Sequence, residues 1–452
     1  MEQTDGSVQQ APIRQSQGPV RVALVGAGHR AMHYATYAEA HPDEMVVTAV
    51  VDPDPVRRER AARVHRIPDR HQYSGIADLP PGGEVADAVI NGTLDHLHVA
   101  TTLEVLAKQY DVLLEKPIAT SAEDLLMLRQ AAADSGRTVQ ICHVLRHAPF
   151  YQGIRNLVQS GEIGQLINIQ LAENVSYDHM AVSFVRGKYA LAARAGSSML
   201  LAKCCHDLDL MAWMMSGNKP VRATSSGNRM FFRPEQAPPG AGTRCLVDCA
   251  IESTCAYSAR RHYVDNGWWG FYAWQPLEAL TQEPNREQML ESLRTDNPHG
   301  RCVWHSESDI VDHQVVAVEF EDGATGTLSM VGNSAEPSRT LHIVGTKGEV
   351  FGTMEQGSYT LRRIAPGASG RSTTEEFTVS GGQDMHGGGD LRLVADFVNV
   401  LRGNPPSIST TALEDSINGH LIGFAAEQGR HEGRWVTLDE LPAPAAAVAA
   451  GR

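Results

Sequence analysis

The chain of 452 residues is longer than one hydrophobic core usually serves, so we expect two domains. It carries 39 basic and 53 acidic side chains, and this net charge of −14 argues against a nucleic-acid or anionic-membrane partner. No apolar run approaches the roughly 20 residues of a membrane helix. Seven cysteines and a polar N-terminus that does not resemble a secretory signal predict a reducing, cytoplasmic location.

Strands and helices alternate between residues 20 and 145, which predicts a doubly wound parallel sheet of the Rossmann type. The predicted order is strand 21–28, helix 29–41, strand 46–52, helix 53–65, strand 86–92, helix 97–109, strand 111–117, helix 121–136 and strand 137–146. Polar, low-complexity segments flank the folded part, so we expect a disordered arm over 1–19 and a tail over 441–452.

Residues 146–440 show a different pattern, with hairpin-like strands of mixed polarity that predict an open-faced, mainly antiparallel sheet. The predicted order is helix 150–161, strands 165–175, 219–228, 312–332, 339–352 and 375–381, and helices 391–403 and 412–430. A stretch rich in Pro, Gly, Trp and Cys, about 233–305, is interpreted as an insertion. The fold class is therefore α/β, with a Rossmann domain followed by an α/β domain for substrate binding and oligomerisation.

A glycine-rich turn follows the first predicted strand. Gly26, Gly28 and Ala31 match the pattern GxGxxA, which needs a tight turn, close approach of the backbone to a pyrophosphate, and a small residue for helix packing. The helix that starts here would direct its N-terminus at the phosphates, so His29 and Arg30 are candidate cofactor contacts. The turn predicts a dinucleotide site.

The end of the second predicted strand carries an acid, Asp52, 24 residues after Gly28. A carboxylate there accepts the adenosine ribose hydroxyls and disfavours a 2′-phosphate, which favours NAD as the cofactor over NADP. Arg57 and Arg58 follow closely and keep NADP open as the less favoured alternative.

A third motif, Glu115-Lys116-Pro117, ends a later strand of the same sheet. With this motif added to the glycine turn, the chain resembles the Gfo/Idh/MocA family of glucose–fructose oxidoreductases and inositol dehydrogenases. The resemblance covers about 20–435; its further matches are Thr93, His96, His98, Arg146, the segment 160–166, the run from His206 to Leu210, and Trp213. It implies a Rossmann domain, an open-faced sheet domain, a homodimer or homotetramer built through that sheet, and a small-molecule sugar, glycoside or cyclitol substrate.

The resemblance also implies site residues. It places Lys116 beside the reacting hydroxyl and the nicotinamide, with His206 as the second catalytic group. The family usually has an aspartate four residues before that histidine, whereas this chain has Ala202 with Lys203 beside it. A lysine needs its pKa depressed from about 10.4 to roughly 7–8 to act as a base. The predicted cofactor contacts are Gly26, Gly28, His29, Arg30, Asp52, Thr93, His96, His98, Glu115 and Lys116.

Candidate substrate contacts are aromatic or basic side chains near the predicted pocket, which suit a sugar ring or one carrying an anion. They are Arg146, Tyr177, His179, Arg186, Lys203, His313 and His386. Plainer alternatives exist for several candidates. The loop residues can be solvated side chains, and Lys203 can be an interior ion-pair partner. The catalytic candidate His206 can be a satisfied helix-start histidine.

Cys245, Cys249 and Cys255 lie within eleven residues, and Cys302 stands at the far end of the insertion. Four thiolates can hold a structural zinc, although this spacing matches no standard pattern. Buried free thiols are the alternative.

Two enzymatic functions follow. The first is an NAD-dependent oxidoreductase that moves hydride from a ring carbinol of a sugar or sugar derivative to nicotinamide. The alternative is an NAD-dependent glycoside hydrolase that uses transient C3 oxidation, elimination and hydration, with an anionic glycoside among its candidate substrates. A nucleotide-binding sensor without turnover is disfavoured because Lys116 and His206 are both present.

Overall fold

The computed structural model describes residues 18–281, 283–365, 370–379 and 386–442. The predicted arm over 1–19 lies outside these residues except for its last two, and the predicted tail over 441–452 lies outside them except for its first two. In the described part of the chain, no helix has the length and apolar character to cross a membrane.

The first half is an alternation of short buried strands and helices, as the sequence predicts. Its elements are β1 Val20–Val25, α1 His29–Ala40, β2 Met45–Val51, α2 Pro55–His65, β3 Gln72–Tyr73, β4 Ala88–Asn91, α3 His98–Ala107, β5 Asp111–Leu114, α4 Ala122–Ser135 and β6 Val139–Ile141. Within the described residues these strands form a six-stranded sheet in the order β3-β2-β1-β4-β5-β6, with every pair parallel. The doubly wound prediction is confirmed.

The last strand of this sheet is shorter than predicted. β6 ends at Ile141, and residues 144–146, which the pattern placed in the strand, belong to a helical turn over 144–147. The turn directs the Arg146 guanidinium at the Asp209 carboxylate, with nitrogen–oxygen distances of 2.7 and 2.6 Å, and both side chains are buried. The ion pair therefore holds the turn that follows the strand.

The second half contains a nine-stranded mixed sheet within the residues that the structure covers. Its elements are α5 Pro149–Gln159, β7 Leu166–Ser176, α6 Tyr177–His179, α7 Ala192–Ala195, α8 Met199–Ala202, α9 Cys205–Met214, β8 Pro220–Asn228, α10 Gly270–Ala273, α11 Arg286–Arg294, β9 His313–Phe320, β10 Thr325–Ser334, β11 Ser338–Gly345, β12 Gly348–Thr353, β13 Ser358–Ile364, β14 Ser372–Thr378, α12 Gly389–Leu401, α13 Leu413–Glu432 and β15 Val436–Thr437.

The strand order of this sheet is β14-β13-β12-β11-β7-β10-β9-β8-β15, and only the pair β7–β10 is parallel. Buried and accessible residues alternate along β9 and β11, because one sheet face is covered and the other is open. The expected mainly antiparallel, open-faced sheet is confirmed.

The last two long helices join the halves. Leu393 and Phe397 of α12 are buried in the core of the Rossmann half, and Leu413 and Ile417 of α13 pack on the other face of the same sheet. The predicted domain boundaries, 20–145 and 146–440, stay predictions, since side chains from after residue 390 complete the first core.

The insertion is held together by polar and aromatic contacts. The buried Arg186 guanidinium donates to the carbonyls of Arg301 (2.7 Å) and Tyr257 (2.8 Å) and to Cys245 Sγ (3.5 Å). Its hydrogen bonds are thus directed at the insertion, which corrects its expected role as a substrate contact.

The predicted zinc site is also corrected. The part of the chain that the structure describes contains no group of three or more His, Cys, Asp or Glu side chains placed to hold a metal ion. Cys245 accepts from Arg186 and Cys255 Sγ from the Tyr257 N–H at 3.3 Å, while Cys249 is partly exposed and Cys302 is buried. These are free thiols, the alternative reading of the sequence.

Truncation of Phe397 to alanine tests whether α12 belongs to the first core. The side chain is fully buried, so the variant should lose about 3–5 kcal/mol of unfolding free energy, measured by urea denaturation. Leu391→Ala, on the exposed side of the same helix, is the control and should change it by less than about 1 kcal/mol. Equal losses in the two variants would contradict this packing.

Candidate active site

The turn after β1 has the geometry that a dinucleotide needs. Gly26 has φ +80°, and a Cβ there would lie 2.9 Å from the backbone of Gly92 and Thr93. Gly28, the N-cap of α1, would place a Cβ no closer than 3.9 Å to any atom, and no side chain caps the helix. The uncapped N–H groups and the open surface fit a pyrophosphate.

Asp52 lies at the carboxyl end of β2 and is buried. Its Oδ2 accepts from the Ala27 N–H at 2.7 Å and its Oδ1 from the Asp54 N–H at 2.8 Å. These bonds fix the acid against the glycine turn, at the place where an adenosine ribose is held in this fold. Arg58 donates to the Asp52 carbonyl at 2.6 Å.

Of the predicted cofactor contacts after β4, some are accessible and one is buried. His96 is exposed, and Thr93 Oγ1 bonds to Asn91 Oδ1 at 2.9 Å. His98 is buried, with its ring nitrogens 2.6 Å from the Pro117 carbonyl oxygen and 3.2 Å from that of Thr93. His98 thus connects two turns of the predicted cofactor site through their carbonyl groups. The sequence had instead predicted a direct contact with the cofactor.

The Glu115 carboxylate gathers three donors. Oε1 accepts from Arg30 Nε at 3.0 Å and from the Tyr34 hydroxyl at 2.7 Å, and Oε2 accepts from the Lys116 N–H at 2.8 Å. Burial raises the pKa of this carboxyl, but Arg30 and Lys116 outweigh burial and bring its pKa to about 2. Arg30 also pairs with Asp390 at the start of α12. Arg30 and Glu115 therefore face each other inside the protein.

Lys116 is held as a cation. Its Nζ donates to the Ala202 carbonyl at 3.2 Å, at the position where the family has an aspartate. Burial lowers its pKa, but neighbours that carry negative charge when ionised outweigh burial and raise the pKa above its ordinary value: Cys205, Tyr189, Glu115 and Asp95. The expected depression of this pKa is therefore not found.

His206 shows the opposite behaviour. Its ring lies 5.7 Å from that of His143 and 5.9 Å from that of His386, and its buried Nδ1 has no hydrogen-bond partner among the residues that the structure describes. Burial, Lys116 and the two other histidines hold the pKa of His206 well below its ordinary value. His206 is therefore neutral beside a cationic lysine, and it is the better proton acceptor of the two.

Lys203 enters a buried charge network. Its Nζ lies 3.2 Å from Glu173 Oε1, and Arg339 pairs with both Glu173 and Asp207. Burial lowers the pKa of Lys203, whereas burial raises the pKa of Asp207 to about 7. The Lys203 side chain keeps 14% of its surface exposed, so it is an ion-pair partner with an accessible edge.

His179 connects this network to the insertion. Its ring stacks on Trp269, with centroids 4.4 Å apart, and Trp269 Nε1 donates to Asp178 at 2.7 Å. Burial first, and then Lys203 and Lys116 among nearby cations, hold the pKa of His179 well below its ordinary value. The structure thus brings together five predicted residues: Lys116, His179, Lys203, His206 and His386.

Three predicted substrate contacts lie elsewhere. Arg146 is committed to Asp209 under α9, and Tyr177 packs edge-on against Tyr257 of the insertion, with centroids 5.7 Å apart. His313, at the start of β9, has Nδ1 2.9 Å from the carboxylate of the preceding residue. The contacts of these three side chains are with other residues of the protein.

Several residues of the site were missed in the sequence. Tyr189 adjoins Lys116, and Trp269 and Phe271 come from the insertion. The aromatic run 268–274 was visible but had no periodicity to place it. Glu173 and Arg339 pair across neighbouring strands. The sequence signal that could have identified them is a charged residue within each of two otherwise apolar strands.

Two profiles of one oxidoreductase family match the chain. The first, described as an NAD-binding Rossmann fold, matches residues 20–143, and the second, a C-terminal alpha/beta domain, matches 155–438. Together they cover more than half of the protein. The chain belongs to the Gfo/Idh/MocA family and is an oxidoreductase of that family.

Curated relatives resemble the chain in sequence, and a solved structure resembles it in fold. The chain is 26% identical over 378 residues to the putative oxidoreductase YteT of Bacillus subtilis, covering 77% of this chain and 81% of that protein. It is 29% identical over 292 residues to an inositol 2-dehydrogenase of Acidothermus cellulolyticus, covering 61% and 80%. A levoglucosan dehydrogenase, solved with NADH and levoglucosan, shares the fold at a TM-score of 0.65 and 16% identity, covering 93% and 100%.

Gly26→Ala tests the glycine turn. The added Cβ would meet backbone atoms at 2.9 Å and an unfavourable positive φ, so NADH affinity should fall at least about tenfold. Protein-enhanced NADH fluorescence measures it. Gly75→Ala, where a Cβ meets nothing within 4 Å, should bind like the wild type; equal affinity in all three proteins would refute the assigned turn.

Proposed function

We propose that the chain is an NAD-dependent oxidoreductase that oxidises a ring carbinol of a sugar or sugar derivative. The observation that carries the proposal is the pairing of a cationic Lys116 with a neutral His206 beside a glycine turn fitted to a dinucleotide. The relatives named above are dehydrogenases or oxidoreductases where their names state an activity. The preference for NAD over NADP rests on the fixed Asp52 carboxylate.

The two site residues divide the proton chemistry. When bound, nicotinamide supplies the acceptor for the hydride. Lys116, as a donor, orients the reacting hydroxyl oxygen and stabilises negative charge that develops on it. Neutral His206 takes the hydroxyl proton as the carbon–oxygen double bond forms, so one hydride and one proton leave the carbinol together.

The substrate end favours a hydroxyl-rich ligand. Lys203 pairs with Glu173, and Arg339 pairs with Glu173 and Asp207, so carboxylates offset most of the positive charge of these two side chains. Stacked His179 and Trp269 add flat apolar surface of the kind that covers a sugar ring. A homodimer or homotetramer and a cytoplasmic location stay predictions alongside this proposal.

One observation favours the second candidate, a glycosidase that oxidises its substrate transiently. Phe271 of the insertion stacks on His29 at the glycine turn, with ring centroids 4.3 Å apart, while neighbouring Trp269 stacks on His179 at the substrate end. One segment thus contacts both the glycine turn and the substrate end of the predicted site. A segment in this position would slow the exchange of bound cofactor. A redox-neutral reaction does not need that exchange, because it regenerates its own cofactor.

Incubation with NAD and a panel of sugars and chromogenic glycosides separates the two candidates. Stoichiometric NADH accumulation supports the dehydrogenase. Aglycone release that requires NAD without net NADH supports the glycosidase.

Lys116→Ala should lower kcat by at least about 10³-fold under either candidate, since charge stabilisation at the reacting oxygen is lost. NADH fluorescence should show binding within about threefold of the wild type, because Lys116 is not part of the glycine turn. The exposed Lys219→Ala variant is the matched control. Full turnover by the Lys116 variant would refute the site.

The pH profile tests which residue is the base. The pKa of His206 lies below its ordinary value and that of Lys116 above its own, so neither should titrate between about pH 6.5 and 10.4. We therefore expect kcat/KM to stay constant from neutral pH up to about pH 10. It should fall only at acid pH, where His206 gains a proton. A tenfold rise per pH unit towards pH 10 would instead identify Lys116 as the base.

A further inference from the structure

The insertion also reaches the adenosine end of the dinucleotide site. Seven residues after Phe271, the Glu278 carboxylate meets two arginines of α2, with Oε2 3.0 Å from Arg57 Nε and Oε1 3.6 Å from Arg60 Nη1. All three side chains are partly buried, with 24% to 31% of their surface exposed. This contact was not predicted from the sequence.

The two arginines lie where a 2′-phosphate would be recognised. α2 begins three residues after Asp52, so its first turns border the ribose pocket that this acid marks. Arg60 also donates to the Ala27 carbonyl at 3.2 Å, which ties it to the glycine turn. Guanidinium groups at this edge of a Rossmann site are the usual partners of the NADP phosphate.

We infer that Glu278 is a specificity-determining residue that excludes the 2′-phosphate of NADP by pairing with Arg57 and Arg60. A phosphate brought to these arginines would have to displace the carboxylate or lie beside it, and like charges at that distance repel. The inference rests on the proposed function insofar as it assumes a bound nicotinamide dinucleotide.

Glu278→Gln removes the charge and keeps the shape. Titration of the full chain with NADH and with NADPH, followed by fluorescence, gives the ratio of the two dissociation constants. We expect NADPH affinity to rise about tenfold or more while NADH affinity changes less than about threefold. Adding Arg57→Ala to this variant should reverse most of the NADPH gain.

Glu287→Gln is the matched control, an exposed glutamate on α11 of the same insertion. It should leave both affinities and their ratio unchanged. If the ratio of the two dissociation constants in Glu278→Gln equals that of the wild type, the inference is wrong, even if both affinities have fallen equally. NAD binding by the wild-type chain would be unaffected by that result. A wild-type chain that binds neither coenzyme would overturn the proposed function and the inference with it.

Discussion

The Glu115 carboxylate is the contact on which the rest of the site depends. It holds Arg30 of the glycine turn, the Tyr34 hydroxyl and the backbone of Lys116 at once. Through Arg30 the network continues to Asp390, whose Oδ2 lies 2.9 Å from His386 Nδ1. One buried anion thereby connects the cofactor turn, the lysine and the final helices, which come from distant parts of the chain.

This arrangement fits the roles proposed for Lys116 and His206 in a chain that has Ala202 where the family usually has an aspartate. With Ala202 in its place, Lys116 has a carbonyl as its neighbour, and Cys205, Tyr189, Glu115 and Asp95 raise its pKa and keep it charged. That charge is one reason why His206 stays neutral, since a second cation close by is unfavourable. The loss of one acid is therefore compatible with an acid–base pair made of a lysine and a histidine.

The fold was predictable because its signals are local. Strand-length apolar runs alternating with helical periods specify the first sheet, and alternating polarity specifies the second. The turn that follows β6 was not predictable, because it is held by an ion pair between Arg146 and Asp209, 63 residues apart. No local pattern encodes such a contact.

The site was predictable only in part, for the same reason. Gly26 and Lys116 belong to motifs whose backbone geometry is local. The direction of a polar side chain is not local, so Arg186 and His98 were assigned to ligands although they bind their own chain. The cysteine spacing likewise said nothing about where each thiol points, and the insertion had no period from which its position over His29 could be read.

The most direct test of the acid–base pair is the protonation state of His206 in the NAD-loaded protein. Nitrogen NMR of histidine-labelled chain, with the His206 signal assigned by its loss in His206→Asn, measures it as pH is varied. A ring that stays neutral down to well below the ordinary histidine pKa of about 6.5 is the predicted result. A His206 that is protonated at neutral pH would contradict its assignment as the proton acceptor.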